Sequence, residues 1–209
     1  MGMIPSIFKA SKNHVELKIS DTSLLALNFN KIMVEAYNEK CSYFVILHSD
    51  IEILTVFWID KMVNIMQTKD LGVLSVVSPI KSEKGLTSTA LDMETSIRKL
   101  SMFEISMSLP LTFTSIDTFE AFNNGNLLIN TGVICVDTSK VDPTQCYFSI
   151  EDRIIKKDEK YDVTNISEDW NFSRMLIKNK VKYGATREIS IKHYGNTYWD
   201  NTTVKVGEK

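Results

Sequence analysis

The stretch YFVILHSDIEI, residues 43–53, combines a continuous apolar run with an acidic ending. A run such as YFVIL is typical of a central strand that is covered on both faces of its sheet. Strands usually end at turn formers such as Gly, Asn or Pro, whereas this one continues into Asp50 and Glu52. Because open α/β sheets bind ligands at the carboxyl ends of their strands, this acidic ending is a candidate binding site.

The segments around this stretch alternate between strand-like and helix-like patterns. HVELKIS, residues 14–20, alternates apolar and polar side chains and predicts a strand, and LGVLSVVSPI, residues 71–80, predicts a buried one. Apolar residues recur at helical spacing over residues 25–38 and 55–67. The sequence therefore predicts an α/β fold, with a central mixed, mostly parallel sheet flanked by helices.

The composition is that of an ordinary globular protein. The chain has 209 residues, 24% charged and 44% hydrophobic, and it contains no repeat or Pro/Gly-rich linker, so we predict a single domain. The net charge of -2 argues against a nucleic acid as an obligate partner. The three cysteines lack C-x-x-C spacing, and residues 1–18 show neither a signal peptide nor a membrane span. We therefore expect reduced thiols, no membrane span and a cytoplasmic location.

The acid pair of the opening stretch has two interpretations. Asp50 and Glu52 could hold a hard divalent cation, because carboxylate oxygens are the ligands that such ions prefer. Most Asp-x-Glu pairs on loops, however, are solvated surface charges. His48, two residues earlier, is interpreted as a supporting polar or structural residue.

A second acid pair, Glu168 and Asp169, begins the helix predicted for ISEDWNFSRMLIKNK, where Ser167 is suited to the N-cap. Acids in a first turn stabilise a helix through its dipole by about 0.3–1 kcal/mol, which explains the pair without any function. The functional interpretation is that Asp169 is a general base in a cleft, with its ionised form favoured by the helix N-terminus.

Two features lie near the ends of other predicted strands. His193, in IKHYG, follows a short strand, and neutral imidazole can complete the coordination of manganese beside carboxylates, although such a His is often simply hydrogen-bonded. The strand NLLINTGVICVD, residues 126–137, is interrupted by Thr131 and Gly132, and a glycine inside a strand often marks a bulge or the close approach of a ligand. Residues 81–96 predict a long loop, whereas residues 141–163 are too irregular to assign.

The order of these motifs resembles that of glycosyltransferases of the A fold, most closely the large inverting family of polysaccharide and lipid-sugar synthases with its phage and bacterial relatives. In that family an Asp-x-Asp motif holds the metal and the nucleotide diphosphate, and HSDIEI matches its position with Glu52 replacing the second Asp. A later Glu-Asp-Trp/Tyr stretch supplies the catalytic base, and SEDWNFSRMLI is similar to it. A His near the end of the domain completes the metal shell, as in IKHYG.

The resemblance, over about residues 5–194, implies a nucleotide-diphospho-sugar transferase fold within one domain, with a donor-binding half at about 1–80 and an acceptor half at about 81–200. It implies metal-dependent, inverting transfer of a sugar from a nucleoside-diphosphate donor to a hydroxyl on a glycan, lipid, protein or modified nucleic acid. Asp169 would be the catalytic base. Mn²⁺ or Mg²⁺ would be held by Asp50, Glu52 and His193. The substrate-binding positions that it implies are Asn28, Thr131, Gly132 and Glu168.

Two departures from the family pattern keep alternatives open. The family's Arg-Asn pair is Leu27-Asn28 here, and residues 4–6 match only the tail of the family's first strand. A non-catalytic nucleotide-sugar or partner-binding domain of the same fold is therefore one alternative. A nucleotidyltransferase is another, although MIPSIFKASK lacks the glycine-rich phosphate loop usual in that class.

Overall fold

The computed structural model describes residues 10–19, 24–81, 85–93, 96–195 and 198–202. Strands and helices alternate through these residues, which confirms the α/β prediction. The helices of this part of the chain are α1 (Leu25–Asn38), α2 (Trp58–Lys69), α3 (Met102–Ser108), α4 (Ser115–Ala121) and α5 (Glu168–Lys178). None of these five helices is long and apolar enough to cross a membrane.

Strands account for most of the remaining regular structure in the same residues. The first seven are β1 (Tyr43–Leu47), β2 (Ile51–Ile53), β3 (Val73–Val76), β4 (Leu86–Met93), β5 (Ser96–Ser101), β6 (Thr112–Thr114) and β7 (Asn126–Leu128). The next six are β8 (Val133–Asp137), β9 (Glu151–Lys157), β10 (Lys160–Ile166), β11 (Tyr183–Thr186), β12 (Ile191–Tyr194) and β13 (Tyr198–Asp200).

The central sheet has five strands in the order β1-β8-β3-β11-β6. It is mixed, as predicted, but it is not mostly parallel: β8 pairs antiparallel with both β1 and β3, β6 pairs antiparallel with β11, and only β3 and β11 pair in parallel. The strands β1, β3 and β11 nevertheless run in one direction. The difference arises because β8 lies between β1 and β3, and an apolar run indicates burial without indicating which strand lies beside it.

Helices cover both faces of this sheet. Buried residues of α1 and α5 form one apolar cluster with Ile134 and Val136 of β8. Buried residues of α2 form a second cluster with Val133 and Cys135 of the same strand. Because successive side chains of a strand point to opposite faces, β8 contributes to both clusters and all five of its residues are buried. Each large apolar side chain buried in this way contributes about 1.5–3 kcal/mol relative to an exposed one.

Three smaller sheets flank the central one: β5-β4-β7, β13-β12-β2 and the hairpin of β9 and β10. The loop prediction for residues 81–96 is therefore wrong over β4, which pairs with β5 and β7. Its sequence, LTSTALDM, is rich in Thr and Ser in its first half, yet Thr87 and Thr89 are buried in it together with Leu91. The Thr87 hydroxyl lies 2.8 Å from the backbone carbonyl of Leu100, to which it can donate, whereas the Thr89 hydroxyl has no hydrogen-bond partner among the described residues.

The strand predicted at residues 14–20 is not present over residues 14–19, and Ser20 lies outside the described residues. Val15, Leu17 and Ile19 are exposed there. A segment with alternating apolar and polar residues forms a strand only where a neighbouring strand pairs with its backbone. Residues 14–19 have no such neighbour among the described strands. The helix predicted after Ser167 and the two short strands predicted at the end of the chain are confirmed as α5, β11 and β12.

Candidate functional site

The short ladder between β2 and β12 joins two of the predicted site residues. Ile51 of β2 pairs with His193 of β12, and the backbone N–H of Tyr194 donates to the carbonyl of Asp50 at 2.8 Å. Asp50 lies in the turn that connects β1 to β2, so its side chain is directed by the turn. The ladder therefore holds the end of the opening stretch against a strand near the end of the chain.

The imidazole of His193 is fixed on both sides. Its Nδ1 lies 2.7 Å from the backbone carbonyl of Pro79, which can only accept, so Nδ1 carries a hydrogen. Its Nε2 lies 3.4 Å from Oδ2 of Asp50. The side chain of His193 is 16% exposed. The hydrogen bond to Asp50 requires a hydrogen on Nε2, which a metal ion bound to this nitrogen would replace, and a backbone carbonyl on the other nitrogen is the usual support of a metal-binding imidazole.

Asp50 is surrounded by positive and polar groups. The ammonium of Lys81 lies 2.5 Å from Oδ2, the same oxygen that faces His193. The hydrogen bond with His193, and then the one with Lys81, hold the pKa of Asp50 well below its usual range, although burial acts in the opposite direction. The other carboxylate oxygen, Oδ1, is buried without a hydrogen-bond partner among the described residues. Asp50 is therefore an ionised carboxylate whose Oδ1 is buried and whose Oδ2 faces both Lys81 and His193.

Glu52 lies apart from this pair. Its Oε2 accepts a hydrogen bond of 2.5 Å from the hydroxyl of Tyr194, and the ammonium of Lys192 is 3.9 Å away. Glu52 pairs with Lys192 on the ladder, whereas His193 pairs with Ile51, so Glu52 and His193 point to opposite faces. In the part of the chain that the structure describes, no three His, Cys, Asp or Glu side chains are grouped to hold a metal ion. The predicted trio of Asp50, Glu52 and His193 is thus reduced to Asp50 and His193.

Asp169 lies in the first turn of α5, where it is partly buried. Its Oδ1 accepts hydrogen bonds from the hydroxyl of Ser167 and, at 2.8 Å, from the backbone N–H of Trp170. Loss of hydration raises the pKa of Asp169 from 3.8 to about 6, and the charge of Glu168 adds to this, while the hydrogen bond from Ser167 opposes it. The sequence predicts the opposite direction, because it reveals the helix N-terminus but not the burial of the carboxylate.

Short contacts connect the start of α5 with His193. The indole N–H of Trp170 donates to the carbonyl of Ser88 at 3.3 Å, and the backbone N–H of Ser88 donates to the carbonyl of Ser78 at 3.0 Å. The hydroxyl of Ser78 lies 3.4 Å from Nδ1 of His193. The chain from β3 to β4 therefore contacts both His193 and the residue that follows Asp169.

Thr131 and Gly132 precede β8 and are buried. The carbonyl of Gly132 accepts a 2.9 Å hydrogen bond from the backbone N–H of His48. A Cβ atom at Gly132 would lie 2.8 Å from Cδ1 of Ile51. The group that closely approaches this glycine is therefore the side chain of Ile51, which packs the β1–β2 turn against the start of β8.

Asn28 is buried in α1 and contributes to the wall of a cavity of about 1080 Å³ between α1, β1 and α2. His48 and Asp50 line the same cavity. The ring of His48 packs against Phe29 at 5.5 Å between centroids, burial lowers its pKa, and its Nε2 has no hydrogen-bond partner among the described residues. Asn28, which the resemblance implies as a contact of the nucleotide-sugar substrate, thus lines the same cavity as Asp50.

Sequence reasoning missed Lys81 and Tyr194, which bind the two acids of the opening stretch. Lys81 could have been found, because it follows the buried strand β3 just as Asp50 follows β1 and the two strands run in one direction. Tyr194 is adjacent to His193, but the sequence does not show that β12 pairs with β2 or that the Tyr194 hydroxyl faces Glu52.

Comparison with known proteins gives one limited likeness. No protein-family model matches the chain, and no curated protein matches it by sequence. The chain is similar to a solved structure, the crystal structure of A197 from STIV, with a TM-score of 0.50 and 11% sequence identity. The match covers 85% of this chain and 71% of the other. At this identity the similarity concerns the arrangement of the chain alone.

Proposed function

We propose that the protein transfers a sugar from a nucleoside-diphosphate donor to a hydroxyl acceptor, with a divalent metal and with inversion at the anomeric carbon, in a fold of the glycosyltransferase A type. The observation that carries this proposal is the approach of Asp50 and His193 to 3.4 Å at the end of β1. A carboxylate and an oriented imidazole from distant parts of the chain meet there beside a large cavity. We place the reaction in the cytoplasm, in keeping with three free cysteines.

The side chains at this point suit Mn²⁺ or Mg²⁺ bound together with a diphosphate. Asp50 offers Oδ2 and His193 offers Nε2, the two atoms that lie 3.4 Å apart. Such ions commonly take only one or two protein ligands and complete their coordination with phosphate oxygens and water. When bound, the metal would offset the negative charge that develops on the departing diphosphate. Glu52 is not needed in this arrangement.

Asp169 is the proposed general base. Its carboxylate would accept the proton of the acceptor hydroxyl while the hydroxyl oxygen forms a bond to the anomeric carbon. The bond from that carbon to the diphosphate oxygen breaks, and its electron pair leaves with the diphosphate. With a pKa of about 6, Asp169 is about nine-tenths ionised at neutral pH and binds a proton more readily than an exposed aspartate does. The hydrogen bond from Ser167 orients it.

A panel of nucleoside-diphosphate sugars with Mn²⁺, assayed for release of the nucleoside diphosphate, tests the proposal. Activity should require metal and should fall by about 10²–10⁴-fold in Asp169→Asn, the contribution typical of a general base. Asp162→Asn is the matched control, because Asp162 is an exposed aspartate that also accepts a hydrogen bond from the next backbone N–H. Full donor turnover in Asp169→Asn would refute the role of the base.

One observation favours a second candidate, a domain that binds nucleotide sugars without turnover. Tyr194 holds Glu52 away from His193, so only two side chains remain to bind a metal at this point. Binding of a nucleoside diphosphate without any metal-dependent hydrolysis or transfer would support this candidate. Measurable metal-dependent donor hydrolysis would exclude it.

A further inference from the structure

The ammonium of Lys81 binds Oδ2 of Asp50, whereas Oδ1 of the same carboxylate is buried. The ammonium lies 2.5 Å from Oδ2, closer than His193, whose Nε2 is 3.4 Å from the same oxygen. Lys81 follows the isolated bridge between Pro79 and Thr87, and its side chain is 39% exposed. One carboxylate oxygen thus faces both an ammonium and an imidazole.

A divalent cation bound by Asp50 and His193 would have to displace this ammonium. Metal–oxygen bonds are roughly 2.0–2.6 Å long, and the ammonium lies 2.5 Å from Oδ2, so a cation held by this oxygen would compete with the ammonium for it. Two positive ions cannot share one carboxylate oxygen without strong repulsion. Because Lys81 has a long, partly exposed side chain, it can leave Asp50 without disturbing the fold.

We propose that Lys81 is the resident counter-ion of Asp50, that it leaves Asp50 when a divalent metal binds, and that it then contacts the diphosphate of the donor. Metal and nucleoside diphosphate consequently bind as a pair, since the metal alone must compete with Lys81, whereas the diphosphate gives the displaced ammonium a new partner. Only the diphosphate contact rests on the proposed function. The competition between Lys81 and metal stands on the geometry around Asp50.

Direct measurement of Mn²⁺ binding by electron paramagnetic resonance, without any nucleotide, tests the competition. Lys81→Met should bind Mn²⁺ about tenfold more tightly than the unmodified protein, because a positive charge beside the carboxylate has been removed. Lys81→Arg retains the charge and should stay within about twofold of the unmodified protein. Lys140→Met is the matched control, because Lys140 makes a similar surface ion pair, 2.7 Å from Oδ1 of Asp70.

The second arm measures the binding of uridine and guanosine diphosphate at saturating Mn²⁺. Lys81→Met should bind whichever of these the protein accepts about tenfold more weakly, because a phosphate contact is lost. Equal Mn²⁺ affinity in Lys81→Met and the unmodified protein, or no Mn²⁺ binding by either, overturns the proposal. Tighter Mn²⁺ binding in Lys81→Met without sugar transfer by any variant upholds the competition and refutes the proposed function instead.

Discussion

Replacement of Asp169 by Asn should make the protein more stable at neutral pH while removing the proposed base. Asp169 is partly buried, and loss of hydration raises its pKa from 3.8 to about 6. Ionisation of this carboxyl group is therefore more costly in the folded protein than in the unfolded chain. An asparagine oxygen can accept the same hydrogen bonds from Ser167 and Trp170 without a buried charge.

The size of the effect follows from the pKa. The rise from 3.8 to about 6 corresponds to about 3 kcal/mol, and the partial exposure of the side chain makes about 2 kcal/mol a realistic expectation. The folded protein binds the proton of Asp169 more tightly than the unfolded chain does, so proton binding stabilises the fold, fully so below pH 3.8. This stabilisation is lost as the pH rises through about 6. Above that pH the loss is complete.

Urea unfolding followed by circular dichroism between about pH 4 and pH 8 measures this dependence. The free energy of unfolding of Asp169→Asn minus that of the unmodified protein should increase by about 2 kcal/mol across this range. The control Asp162→Asn removes an exposed carboxylate and should show no such increase. A difference that stays constant with pH, or that decreases as the pH rises, would refute the assignment of a raised pKa to Asp169.

Three further changes test the surrounding geometry. Gly132→Ala should lower the free energy of unfolding, measured with urea, by about 1–2 kcal/mol, because the added Cβ would lie 2.8 Å from Cδ1 of Ile51. Adding Ile51→Val, which removes Cδ1, should recover part of this loss. His193→Ala should raise the pKa of Asp50 towards its ordinary value in a carboxyl ¹³C NMR titration, and an unchanged pKa would show that the imidazole does not act on it. Glu52→Gln should leave the Mn²⁺ affinity, measured by electron paramagnetic resonance, within about threefold of the unmodified protein, because Glu52 points away from His193. Loss of Mn²⁺ binding in this variant would return Glu52 to the proposed metal site.

Local patterns predicted three of the five helices in the described residues, α1, α2 and α5, and predicted the sheet partners poorly. Apolar spacing located α2 and α5 because each helix buries one continuous stripe of its own surface. The neighbours of β8 could not be predicted, because pairing depends on strands far away in the chain. The strand β4 was missed because its buried Thr87 hydroxyl is satisfied by the carbonyl of Leu100, thirteen residues away in the chain. Information about which groups meet is therefore absent from the short windows in which secondary structure is predicted.

The same reason explains why the site is only half predictable. A carboxylate at the end of a buried strand and a His at the end of a later strand are visible in the sequence, and the ladder between β2 and β12 brings Asp50 and His193 together. The Asp-x-Glu spacing suggests two carboxylates on one face, since alternate residues of a strand point the same way. That inference requires both residues to belong to the strand.

Asp50 belongs instead to the turn before β2, while Glu52 lies within the strand and obeys its alternation. The turn frees Asp50 to face His193, and the strand directs Glu52 to Tyr194 and Lys192 on the other face. The proposed metal site thus retains one carboxylate of the motif, which Lys81 neutralises in this structure. A site with a single carboxylate needs the oxygens of a diphosphate to hold a divalent ion firmly, so donor and metal should bind this protein together.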